Sequence, residues 1–145
     1  MSKQKRYDTL YMDLAIRISK MSHAERAKVG SVIVKDNNII SFGWNGTPAG
    51  FDNCCEFEDY VGHTYTKPEV IHSEMNAIAK LAKSGNSSKG ATLYVTLAPC
   101  KTCSTTIIQA GIKRVVYLQD YHSTGLDLLR RGRVEVTKFE ENAND

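Results

Sequence analysis

Two short stretches hold the residues best suited to chemistry. At 98–103 the chain reads APCKTC, and at 72–74 it reads HSE. His72, Cys100 and Cys103 make three metal donors. Zinc takes four ligands, and a catalytic zinc keeps the fourth place for water and lowers the pKa of that water. Glu74, two residues from His72, is placed to take a proton from water and return it to a leaving group. Together the four describe a hydrolytic metal centre. Each part read alone has a plainer meaning. A lone histidine is usually a surface or capping residue. A glutamate in the first turn of a helix is favoured by the helix dipole. An isolated C-x-x-C is also a redox pair.

The elements around these stretches must bring them together. Residues 7–22 carry apolar side chains near helical spacing, with Asp8 or Thr9 as cap candidates. Val29 to Val34, the Asp36-Asn37-Asn38 turn and Ile39 to Phe42 read as strand, turn and strand. From Gly43 to Pro68 the texture is irregular, with a short helix expected near 54–60. Long irregular stretches in compact domains are usually functional. Helical spacing returns just after Ile71 and stops at Gly85. Residues 91–97 read as a strand, and Pro99 stands where a helix can begin. A strand at 115–119, a short helix over LDLLRR, a strand over VEVTKF and a fraying tail ENAND complete the chain. The order α-β-β-α-β-α-β-α-β predicts a single α/β domain over 1–145, with a mixed sheet and helices on both faces. His72 falls in the first turn of one helix. Cys100 and Cys103 share one side of the next, where the dipole favours thiolates.

The totals set limits. With 145 residues, 41% apolar and 24% charged, one compact domain with a real core is expected. The net charge of +3 permits an anionic small molecule but demands none. KQKR at 3–6 and RRGR at 130–133 read as solvated basic edges. No apolar run is long enough to span a bilayer, and MSKQKRYDT lacks the apolar core of a secretory signal, so a cytoplasmic location is expected. Four cysteines are too few and too oddly placed for a disulfide framework.

H-x-E followed by P-C-x-x-C is the zinc-deaminase signature. With KVGSVIVKDNNIISFGWNGTPAG, CCEFED, HSEMNAIAK and TLYVTLAPCKTCSTTIIQAGIKRVVY, the sequence resembles the deoxycytidylate (dCMP) deaminase family from about Tyr7 to Phe139. The resemblance implies a three-layer α/β/α fold with a five-stranded mixed sheet of the cytidine deaminase type. It implies hydrolysis of dCMP to dUMP and ammonia, supplying dUMP for thymidylate synthesis. His72, Cys100 and Cys103 match the zinc ligands and Glu74 the proton shuttle. Asn45 matches the residue that meets the sugar hydroxyl, with Gly46 and Thr47 lining the nucleotide site. Tyr121 matches an aromatic near the substrate, and Arg26 is a candidate phosphate contact. The family further implies a homo-oligomer, commonly a hexamer, switched on by dCTP with Mg²⁺ and off by dTTP.

Some features depart from the family pattern. The usual H-A-E is here H-S-E, and the segment before it is short. A second, structural zinc held by His23, Cys54, Cys55 and His63 is an alternative to packing roles for those residues. Two further readings stay open. One is a deaminase of another base, cytosine-type or adenosine in tRNA. A nucleic-acid editor should show a basic channel with stacking aromatics, which the modest charge does not favour. The other is a binding module with a purely structural zinc, which normally has four protein ligands and no need of Glu74.

Overall fold

The structure is a computed structural model, and its described residues are 1–141. The tail expected to fray, 141–145, lies outside them but for its first residue. The elements are α1 (Lys3–Ser19), β1 (Gly30–Lys35), β2 (Asn38–Trp44), β3 (Glu56–Glu58), β4 (Thr64–Thr66), α2 (Ser73–Ser84), β5 (Thr92–Leu97), α3 (Lys101–Gln109), β6 (Arg114–Gln119), α4 (Leu126–Arg131) and β7 (Glu135–Lys138).

Five strands form one sheet in the order β2-β1-β5-β6-β7. β1 pairs antiparallel with β2 and β5, while β5-β6 and β6-β7 are parallel. The expected mixed sheet is therefore present. Asp36 and Asn37 take φ of 50° and 60°, which closes the β1–β2 hairpin with a pair of left-handed residues.

Alternation along the strands builds two cores. Val32, Val34, Tyr94 and Val116 point to one face and pack with Tyr11, Met12 and Ala15 of α1. Ile33, Leu93, Val95 and Val115 point to the other. There they meet Ala77 and Leu81 of α2, Ile107 of α3 and Leu129 of α4. One helix thus covers one face and three cover the other. Gly43 permits a close approach of β2 to α2: a Cβ there would lie 2.7 Å from the Ser73 carbonyl oxygen and 2.8 Å from the Ala77 nitrogen. β2 and α2 therefore touch backbone to backbone at the start of α2.

Three local expectations are corrected. The cap of α1 is Ser2, whose Oγ accepts from the Lys5 N–H at 3.0 Å, and the helix ends at Ser19. Asp8 lies inside the helix and is buried against Arg114, while Thr9 donates to the Lys5 carbonyl at 2.8 Å. The short helix near 54–60 is instead the β3–β4 hairpin. Its Glu-Phe-Glu and Thr-Tyr-Thr alternate with period two and carry β-favouring side chains. Asp59 builds the turn by accepting from the Val61 and His63 N–H groups at 3.0 and 2.9 Å. Pro99 precedes the cap of α3 rather than opening the helix, since Cys100 is the cap.

Candidate active site

His72 caps α2 and Cys100 caps α3, each with extended backbone. Neither side chain makes a capping hydrogen bond to its own helix. Capping residues are usually serine, threonine or aspartate that satisfy the first N–H groups. Here both side chains turn toward a shared point between the helices instead. Cys103 is the third residue of α3, and a cap and the third residue after it are side-chain neighbours. The Asn76 N–H bonds the His72 carbonyl at 2.9 Å, and the Ser104 N–H bonds the Cys100 carbonyl at 2.9 Å. The first turns are therefore formed up to the metal-ligating positions.

The ligand atoms of His72, Cys100 and Cys103 all lie within 4.8 Å of one another. His72 Nδ1 is 3.2 Å from Cys103 Sγ and 3.6 Å from Cys100 Sγ. Zinc bonded tetrahedrally at ordinary N and S distances separates such atoms by about 3.6 Å. The donor set fits zinc in kind and in spacing. Burial pushes the Cys103 thiol well up, and the neighbouring Glu74 and Cys100 push it further. A thiolate in that place needs a cation beside it, which a metal ion supplies. Among the described residues these three form the one group of three or more potential ligands of this kind. His23, Cys54, Cys55 and His63 are not drawn together. Cys54 donates to the Glu56 carbonyl at 3.3 Å, and His63 lies 3.6 Å from Asp59. Burial, then Glu56 and Cys54, raises the Cys55 thiol.

Glu74 is the second residue of α2 and is only 4% exposed. Its Oε1 accepts from the Ser73 hydroxyl at 2.9 Å. Both His72 and Glu74 line a cavity of about 320 Å³, as does Cys100. That volume suits a small metabolite.

The remaining expected residues divide. Asn45, Arg26 and Tyr121 line the same cavity. The Asn45 side chain holds its own wall: Oδ1 accepts from the Val29 N–H and Nδ2 donates to the Ala27 carbonyl, both at 2.8 Å. Arg26 donates from Nη1 to Thr66 Oγ1 at 3.3 Å. Gly46 and Thr47 are not among the lining residues. Gly46 exchanges backbone bonds with Ile71 at 3.1 and 2.7 Å, which ties the loop to the residue before His72. Thr47 donates to the Asp52 carbonyl.

The cavity adds residues that sequence reasoning missed. His122 packs its ring 4.4 Å from Tyr121, and both stand in the loop after β6. That loop is pinned to the metal-ligating segment because the Gly125 N–H bonds the Pro99 carbonyl at 2.8 Å. A Cβ on Gly125 would lie 2.3 Å from Ser104 Oγ, so only glycine allows the approach. Glu56 also lines the cavity, and its Oε2 accepts from the backbone N–H groups of Glu25 and Arg26 at 3.0 and 3.2 Å. The adjacency of His122 to Tyr121 was the available signal for the first, while nothing local marked Glu56.

A mixed sheet that presents a histidine, two cysteines and a buried glutamate from the starts of two adjacent helices defines an α/β protein with a hydrolytic zinc centre. The chain matches the model of the cytidine and deoxycytidylate deaminase zinc-binding region over residues 5–119, and it belongs to that family. It is 34% identical to the deoxycytidylate deaminase of Enterobacteria phage T4, with 86% of each chain covered. It is 36% identical to the deoxycytidylate deaminase of Homo sapiens, with 79% of this chain and 66% of that one covered. The crystal structure of the dCMP deaminase from the cyanophage S-TIM5, in complex with dCMP and dUMP, matches at 43% identity and a TM-score of 0.86. It covers 96% of this chain and 99% of that one. The five-stranded mixed sheet flanked by helices is the fold of that enzyme.

Proposed function

We propose that this single domain hydrolyses dCMP to dUMP and ammonia, with His72, Cys100 and Cys103 holding one zinc ion and Glu74 carrying the proton. The observation that carries the reading is the gathering of three donor atoms at a cavity lined by His72, Cys100 and the buried Glu74. Names of the similar proteins support dCMP as substrate. When bound there, zinc supplies a Lewis acid and a water acidified toward neutrality.

Glu74 takes a proton from water and delivers it to N3 of the pyrimidine, which makes C4 open to attack by the oxygen. It then takes the second proton from the oxygen now on C4 and passes it to the exocyclic nitrogen, which leaves C4 as ammonia. One water is consumed, and the carbonyl oxygen of dUMP comes from it. Asn45 keeps one N–H and one lone pair beyond its two backbone bonds, and these meet the sugar hydroxyl. Gly46 and Thr47 serve by holding the Asn45 loop. Tyr121 and His122 wall one side of the cavity, and Arg26 offers the phosphate a permanent positive charge.

The exposed Ile39 and Phe42 on edge strand β2 support a homo-oligomer, for which a hexamer is the proposed state. Regulation by dCTP with Mg²⁺ and by dTTP, and provision of dUMP for thymidylate synthesis, belong to the same proposal. No helix among the described residues is long and apolar enough to cross a membrane. All four cysteines are free, in keeping with a cytoplasmic setting.

A spectrophotometric assay comparing dCMP, CMP, deoxycytidine and cytosine, each with and without dCTP–Mg²⁺, tests the reading. Turnover confined to dCMP is expected, and failure on all four overturns it.

A further inference from the structure

The serine that departs from the family pattern does not stand alone. Ser73 Oγ lies 2.6 Å from Ser31 Oγ of β1 and 2.9 Å from Glu74 Oε1. Both serines are 0% exposed. A hydroxyl has one proton to give, and Ser73 gives its own to Glu74 Oε1. Ser31 is then the donor to Ser73. The direction of the whole chain is fixed, Ser31 to Ser73 to Glu74.

We infer that Ser31 and Ser73 are positioning residues that fix the Glu74 carboxylate for proton transfer. This inference rests on the activity proposed above for its kinetic consequence, though not for its geometry. Three features support it. First, a hydroxyl buried without a partner costs free energy, so two of them in the apolar seam between sheet and helix hold only as a bonded set. Second, the chain ties the Glu74 carboxylate, which also meets the Cys103 thiol, to strand β1 of the central sheet. Third, it occupies Oε1 and leaves Oε2 as the oxygen that takes and gives the proton. Because Oε1 accepts from Ser73 whether or not Oε2 is protonated, the clamp persists through the reaction. An alanine at 73 would remove the carboxylate's tie to the sheet.

The test uses Ser73→Ala, Ser31→Ala and the double variant, assayed on dCMP with zinc content measured on each. Ser73→Ala is expected to lower kcat by about 10- to 100-fold, the scale of a misplaced catalytic group. KM and the zinc stoichiometry should stay near wild type. Ser31→Ala is expected to act through the same chain, so adding it to Ser73→Ala should cost nothing further. Unchanged kcat in Ser73→Ala overturns the inference. So does a loss matched by lost zinc, or independent, additive effects of the two variants. Should the wild type fail to turn over dCMP, the activity reading falls, and crystal structures of zinc-loaded wild type and Ser73→Ala decide the clamp. A single Glu74 conformer in the wild type and a displaced or split one in the variant uphold it. The same conformer in both refutes it.

Discussion

Cys103 and Glu74 are the two members of the centre best hidden from solvent. The thiol is pushed up by desolvation and by the Glu74 and Cys100 charges, so it holds its proton until a cation replaces it. Cys103→Ser is therefore expected to lose zinc, which metal analysis of the purified variant would register as well below one ion per chain. Glu74→Gln should keep the zinc, because it leaves the three donor residues in place. Its kcat should fall by about 10²- to 10⁴-fold with zinc content unchanged, as read by parallel assay and metal analysis. The gathering of His72, Cys100 and Cys103 near Glu74 was legible in the sequence because their local spacing already suggests it. The Ser31 partner of Ser73 was not legible. It lies 42 residues away, and only the packing of α2 on β1 brings the hydroxyls together.

At the scale of elements, helix starts do the positioning, and two glycines separate fit from flexibility. Gly43→Ala would set a Cβ 2.7 Å from the Ser73 carbonyl and 2.8 Å from the Ala77 nitrogen, both backbone atoms. We expect it to cost about 1–3 kcal/mol in urea unfolding and to lower kcat by shifting the start of α2. Gly85→Ala meets nothing within 4 Å but keeps φ at +82°. It should cost about 1 kcal/mol through backbone strain and leave kcat alone. Strong periodicity made α2, β5 and β6 readable. The β3–β4 hairpin was misread because its strands are three residues each, too short for alternation to outweigh an irregular setting. Asp8 was misread as a cap because local sequence cannot show a partner at position 114.

For the whole molecule, that Asp8 ties α1 to β5 and β6 of the sheet. Arg114 donates to its two oxygens at 2.9 Å each, and the Tyr94 hydroxyl donates at 2.6 Å. Burial pulls the Asp8 carboxyl up, but the bonds from Arg114, Tyr94 and Gln4 outweigh it and hold the group below its ordinary 3.8. Its share of stability is therefore fully present above 3.8 and drains away as pH falls through the lower folded value. Asp8→Asn should cost about 3–5 kcal/mol at neutral pH by stranding Arg114. It should also flatten the acid limb of a stability–pH curve measured by denaturant unfolding.

The central claim joins one zinc ion, one carboxylate and one nucleotide in a single site. Its most direct test is dCMP turnover by metal-stripped protein during titration with zinc. The account predicts activity that rises from near zero and levels off at one zinc per chain. Full turnover in the stripped protein, or no turnover once one zinc is bound, would contradict it.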